Sequence, residues 1–161
     1  MTQAYSAPVR MALYPIALCN LENQRVVVIG GGVVATRKVR GLLAVRPRLT
    51  VISPTASDEI QRWAADGQLV WLPRPFADDD VRDALLVFAA TNHRAVNARV
   101  TAVAQTQNTL CNVADVAEEG DFVCPAVIRH EELVIGLNTT QKNPRRAVQI
   151  RNEVKQWLQQ S

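Results

Sequence analysis

The sequence predicts an α/β fold, a parallel sheet with helices on both faces, followed by a smaller α+β segment. Three observations carry that expectation. Short β-branched runs alternate with helical stretches over the first two-thirds of the chain. The runs are almost continuously apolar, as in strands buried on both faces, where a strand with one wet face would alternate. The alternation stops near Asp115, where two short runs flank a polar turn and one last helix follows.

Arg25-Val26-Val27-Val28-Ile29 reads as the first strand. Three glycines follow, then Val33 to Ala44 with apolar residues at helical spacing. Leu49-Thr50-Val51-Ile52 is the second strand, and Pro54 breaks it. Ser57 offers a helix cap and Asp58 and Glu59 the acids of a first turn, for a helix that runs through Trp63 and stops at Gly67. Leu69-Val70-Trp71-Leu72 is a third strand, with Pro73 and Pro75 in the loop after it. Asp78-Asp79-Asp80 opens a short helix, where carboxylates offset the helix dipole. Leu85-Leu86-Val87-Phe88-Ala89 is the fourth strand, Asn92 to Gln107 a helix, and Leu110-Cys111-Asn112-Val113 the fifth strand. Strand and helix in strict alternation imply parallel strands joined by crossovers.

Beyond Asp115 the pattern differs. Glu118-Glu119-Gly120-Asp121 is a polar turn. Ala126-Val127-Ile128-Arg129 and Leu133-Val134-Ile135-Gly136-Leu137, around His130-Glu131-Glu132, read as an antiparallel hairpin. A polar loop, Asn138 to Asn143, leads through Pro144 into a helix ending near Gln160. Such a unit is too small to bury its own faces and must pack on the first domain or on a second copy of itself. The expected organisation is a loose extension over 1–12, a ligand-binding domain over 13–114, and a dimerisation hairpin with its helix over 115–161.

Composition narrows the function classes. Of 161 residues 48% are apolar, enough for a core, and 20% are charged, too few for a disordered chain. A net charge of +3 is too small to argue for nucleic acid. The sequence has no uninterrupted apolar run of membrane-spanning length, and its first ten residues lack the layout of a signal peptide. A protein of the cytoplasm, off the membrane, is expected. Cys19, Cys111 and Cys124 are odd in number, widely spaced and without a CxxC pair. Buried reduced thiols are expected, and no disulfide framework. His93 and His130, each beside a turn or helix start, suit surface roles and are too few for a metal site.

The sharpest signal is Gly30-Gly31-Gly32-Val33-Val34-Ala35. It fits G-x-G-x-x-A directly after a strand and directly before a helix, the setting a dinucleotide fingerprint requires. Gly30 permits the tight turn, Gly32 lets a pyrophosphate approach the backbone, and Ala35 keeps helix close to sheet. The helix N-terminus then holds the phosphates. This makes the first domain a Rossmann type. The second strand ends Ile52-Ser53-Pro54-Thr55, without the acid that commonly binds the ribose. Ser53 or Thr55 could contact it by hydroxyl or backbone. No arginine directly follows the strand to receive a 2′-phosphate, which favours NAD over NADP. Ala89-Ala90-Thr91-Asn92, at the end of the fourth strand, gives small residues for close passage and the Thr91 hydroxyl. Asn112-Val113-Ala114-Asp115 leaves the fifth strand at the same edge, so Asp115 is placed to accept a proton as a hydride leaves. A turn-forming aspartate is the competing reading.

Together, Tyr14-Pro15-Ile16, the run Val28-Ile29-Gly30-Gly31-Gly32-Val33-Val34-Ala35-Thr36-Arg37-Lys38, Ala89-Ala90-Thr91-Asn92 and Cys111-Asn112-Val113-Ala114-Asp115 resemble the precorrin-2 dehydrogenase family. That family includes the N-terminal module of bacterial siroheme synthases and its stand-alone relatives. The resemblance covers roughly Leu13 to Leu158. It implies NAD-dependent oxidation of precorrin-2 to sirohydrochlorin, contacts to NAD from Val33, Val34, Pro54 and Thr55, and Asp115 as catalytic acid or base. It also implies a homodimer built by exchange of the second segment. Some family members insert iron as well. The loop Asn138-Thr139-Thr140-Gln141-Lys142-Asn143-Pro144 departs from the family's Ser-Thr-x-Gly-x-Ser-Pro pattern. Many relatives carry a further helical domain past the position of Ser161, which tilts the expectation from iron insertion towards dehydrogenation.

A tetrapyrrole ringed with carboxylates asks for cations. Asn112, Arg129, Lys142, Arg145 and Arg146 are the candidate substrate contacts, arginine being suited to bidentate carboxylate binding. Basic residues at a helix N-terminus oppose the dipole, which gives Arg145 and Arg146 a ligand-based reason. Two other functions fit the pattern: a nucleotide-sensing regulatory module and a chelatase that has kept only metal insertion. The first usually ends its second strand in an acid, which this chain lacks.

Overall fold

The computed structural model describes residues 12–140 and 143–160. Most of the expected extension over 1–12 lies outside the described residues, as does Lys142. Five parallel strands form one sheet: β1 (Arg25–Ile29), β2 (Arg48–Ile52), β3 (Val70–Leu72), β4 (Leu86–Ala89) and β5 (Leu110–Val113), in the order β3-β2-β1-β4-β5. The chain winds outward from β1 to β3, then crosses back to β4 on the other side of β1. The reversal leaves a crevice at the carboxyl ends of the central strands, where ligands of such sheets bind.

Helices α1 (Val33–Leu43) and α2 (Asp58–Ala65) cover one face, and α3 (Arg94–Thr106) the other. The run of valines in β1 shows why the strand is apolar throughout. Val26 and Val28 point to α1 and α2, in a core with Ala35, Val39, Leu42 and Ile60. Val27 and Ile29 point to α3, in a second core with Val100 and Ala104.

Between β3 and β4 the chain makes a single 3₁₀ turn, Asp78–Val81, in place of an α-helix. Asp80 turns inward there, and its carboxylate takes both terminal nitrogens of Arg74 (2.6 and 2.8 Å) and the Ala77 N–H (2.8 Å). Arg25 Nη2 donates to the Asp80 carbonyl (3.0 Å). Only this one of the three aspartates is buried; Asp78 pairs at the surface with Arg99 and Asp79 with Arg82.

The first compact unit runs Leu18–Val123, nine residues past the expected boundary at 114. The physical reason is the segment after Asp115. Asp121 exchanges hydrogen bonds with the Cys111 backbone, N–H to O at 2.8 Å and Oδ2 from N–H at 2.8 Å, which covers the open edge of β5. Phe122 meets Phe88 edge-on with ring centres 5.5 Å apart. Among the described residues the second unit comprises 12–17 and 124–160. It holds an antiparallel hairpin, β6 (Ala126–His130) and β7 (Leu133–Leu137), and α4 (Pro144–Leu158). Ile128 and Ala147 are the buried contacts where α4 packs on the hairpin. Asn143 caps α4 by accepting the Arg146 N–H (3.0 Å), with Pro144 in the first turn.

The expectation of buried thiols holds for Cys111 alone, where burial pushes the thiol pKa up; Cys19 and Cys124 are exposed. Among the described residues no helix is long and apolar enough to cross a membrane, and no group of three or more His, Cys, Asp or Glu is arranged to hold a metal.

Candidate functional site

Three consecutive glycines close the β1–α1 junction for three separate reasons. Gly30 has φ +122°, a region that L side chains avoid, and a Cβ there would stand 2.3 Å from the Ala90 carbonyl oxygen. Gly31 does not have a positive φ, but a Cβ would stand 2.1 Å from the Thr55 carbonyl oxygen. Gly32 needs neither excuse. Its φ of −84° suits any residue, and a Cβ would meet nothing within 4 Å. Among the described residues nothing crowds this position, so a side chain there would extend into the open space beside the turn.

The α1 N-terminus is built to match. It has no side-chain cap and no acid in its first turn, so its leading N–H groups and the positive end of its dipole favour negative charge there. Thr36 donates both its N–H and its hydroxyl to the Gly32 carbonyl (2.9 Å each), which fixes the turn. Val33 is exposed at the helix start, Val34 half-buried and Ala35 fully buried against the sheet, as the fingerprint requires of the last.

The loop after β2 is fastened to the same turn. Ser57 N–H donates to the Gly31 carbonyl (2.9 Å), and the Ser57 and Thr36 hydroxyls lie 2.7 Å apart. Ser53 is half-buried, while Pro54 and Thr55 are exposed beside the glycines. At the neighbouring end of β3, Arg74 is committed to Asp80.

Across the crevice, Thr91 and Asp115 follow β4 and β5. They are joined by Asn97 of α3, a residue that the motif reading passed over. Asn97 is 0% exposed. Its Oδ1 accepts from the Thr91 N–H (3.1 Å) and hydroxyl (2.7 Å), and its Nδ2 donates to the Thr91 carbonyl (3.1 Å) and to Asp115 Oδ1 (3.0 Å). The available signal was a polar residue on the buried stripe Asn97-Val100-Thr101-Ala104. Arg94 places Nη1 3.6 Å from Asp115 Oδ2 and pairs closely with Glu119. Its hydrogen bond to Glu119 raises its already high pKa, and the charges of both carboxylates add to the effect.

The glycine turn, Ser53–Thr55, Thr91 and Asp115 thus belong to one set of strand ends in one unit. Asn92 stands exposed beside Thr91. Asn112 is buried, 3% exposed, with Oδ1 held by Lys38 Nζ and Nδ2 by the Phe122 carbonyl (2.7 Å), so its amide anchors the segment over β5. Arg129, Arg145 and Arg146 are exposed and belong to the other unit.

A doubly wound parallel sheet with an open glycine cradle at its switch point defines a dinucleotide-binding domain. Known proteins agree. Residues 17–126 match a family model described as "Putative NAD(P)-binding". Siroheme synthase 3 of Aeromonas hydrophila is 35% identical over 142 residues, 88% of this chain and 30% of that protein. The siroheme synthase of Salmonella schwarzengrund is 32% identical over the same share of this chain. The structure titled "SirC, precorrin-2 dehydrogenase" superposes with a TM-score of 0.79 at 30% identity, over 89% of this chain and 70% of that one. The chain belongs to the precorrin-2 dehydrogenase family of NAD(P)-binding proteins. It spans about 30% of the length of the curated siroheme synthases it matches.

Proposed function

We propose that this chain oxidises precorrin-2 to sirohydrochlorin in siroheme biosynthesis, with NAD as hydride acceptor and Asp115 as acid/base. The observation that carries the reading is the unfilled space over Gly32, at the same strand ends as Asp115. The likeness to SirC, a precorrin-2 dehydrogenase, supports the substrate.

The residues divide the work. Gly30 and Gly31 let strand, loop and helix close on one another. Gly32 and the first-turn amides of α1 bind pyrophosphate, with Val33 and Val34 against the cofactor. Ser53, Pro54 and Thr55 serve the adenosine ribose, and no arginine directly follows β2 to receive a 2′-phosphate while Arg74 beyond β3 is paired with Asp80, so NAD is preferred. Thr91 and Asn92 border the nicotinamide side. NAD, when bound, supplies the acceptor for a hydride. The two-electron oxidation also releases one proton, which Asp115 accepts.

Arg129, Arg145, Arg146 and Lys142 serve the substrate's carboxylates in a homodimer, in the cytoplasm. The deciding experiment mixes the protein with NAD and precorrin-2 and follows NADH absorbance. NADH formation dependent on both is expected. A protein that binds NAD but forms no NADH would overturn the dehydrogenase reading.

A further inference from the structure

We propose that Asn97 is a positioning residue that ties the proton acceptor to the cofactor side of the crevice, leaving Oδ2 of Asp115 as the reacting oxygen. The inference rests on Asp115 being the acid/base.

An asparagine amide has two acceptor sites on Oδ1 and two hydrogens on Nδ2. All four are used here, and three of them on one residue, Thr91. The Thr91 backbone fixes which way the amide points. Its N–H can only donate and must face Oδ1; its carbonyl can only accept and must face Nδ2. The remaining hydrogen of Nδ2 is therefore committed to Asp115 Oδ1 (3.0 Å). Burial makes this costly to undo, since an unsatisfied amide inside a protein loses its full solvation.

The consequence is geometric. Asp115 lies beyond β5 on an exposed turn, where a carboxylate would normally move freely. The Asn97 amide binds one of its oxygens to the Thr91 backbone, so the ends of β4 and β5 move together. Arg94, one turn of α3 earlier, lies 3.6 Å from Oδ2 and shares its charge with Glu119, so it orients that oxygen without capping it at contact distance. A carboxylate hydrogen-bonded at one oxygen, with a guanidinium 3.6 Å from the other and beyond hydrogen-bond distance, is suited to take a proton from a fixed direction. Small errors in such placement cost rate steeply.

The test is a double-mutant cycle on the whole chain, with Asn97→Ala, Asp115→Asn and the pair, measuring turnover with precorrin-2 and, separately, the Kd for NAD. Asn97→Ala should lower kcat by about tenfold or more, while KM and the NAD Kd stay within about threefold. Adding Asn97→Ala to Asp115→Asn should slow it by less than about twofold, because residues acting as a unit are not additive. A merely structural defect would multiply with the Asp115 loss, and that result overturns the inference. So does an Asn97→Ala protein with more than half the wild-type kcat beside an inactive Asp115→Asn. Turnover retained by Asp115→Asn is a different result, which removes the base assignment itself. Should Asn97→Ala not fold, Asn97→Asp keeps the shape, replaces the donor with an acceptor facing Asp115, and is read against the same limits.

Discussion

At Gly32 the chain gives up a side chain that its own packing would allow. Gly32→Asp should therefore leave the melting temperature nearly unchanged while NAD affinity falls at least about tenfold, ~1.4 kcal/mol, by calorimetric titration. Gly31→Ala should do the opposite first, destabilising the fold, because its Cβ would stand 2.1 Å from backbone. Unchanged NAD binding in a folded Gly32→Asp protein would remove the turn from the site. Asp115→Ala and Asp115→Asn should fold, bind NAD and lose turnover by about 100- to 10,000-fold. A variant above half the wild-type rate would show that substrate groups handle the proton. The glycine fingerprint was legible because its cause is local, a turn between a strand and a helix. It could not reveal that Gly31 packs on Thr55, twenty-four residues away, nor that Asn112 spends its amide internally. Those facts come from which strands become neighbours, and one sequence does not contain that.

Elements were legible where apolar period and caps agreed, as in β1, in α2 behind its Ser57 cap, and in the β6–β7 hairpin. The stretch Asp78-Asp79-Asp80 shows the limit. Three adjacent aspartates read alike, and only contact with Arg74 makes Asp80 the buried one. This pair gives the crossover from β3 to β4 a measurable acid sensitivity. Burial opposes ionisation of the Asp80 carboxyl, but the Arg74 guanidinium, the Ala77 N–H and the Arg25 charge outweigh it and hold the carboxyl below its ordinary 3.8. A depressed folded pKa stabilises the fold above the unfolded value, and the contribution is lost as pH falls through the folded one. Unfolding stability should hold above pH ~4 and decline below it. Asp80→Asn should cost about 1–3 kcal/mol at neutral pH and flatten that decline, as read from denaturant melts across the acid range. A variant with the wild-type acid profile would show that the pair does not govern it.

The second unit leaves apolar surface exposed on its hairpin when the chain stands alone. In the β6–β7 register, Ile128 pairs with Ile135 and His130 with Leu133, so these side chains share the face on which Ile128 is buried. The opposite face carries Val127, Arg129 and Val134, with Val127 41% and Val134 63% exposed. Covering what remains exposed of these valines is worth roughly 1–2 kcal/mol each, and a two-stranded sheet also leaves two strand edges to be covered. A second copy related by a two-fold axis would cover both the face and the edges at once, each residue counting twice. Light scattering should therefore give twice the 17.8 kDa chain mass at micromolar concentration. Val134→Glu should return the chain to its single mass while the sheet domain still binds NAD, because a carboxylate buried at such an interface has no partner there. A wild-type monomer would end the dimer reading. A Val134→Glu protein that stays dimeric would move the interface to another surface of the hairpin and α4.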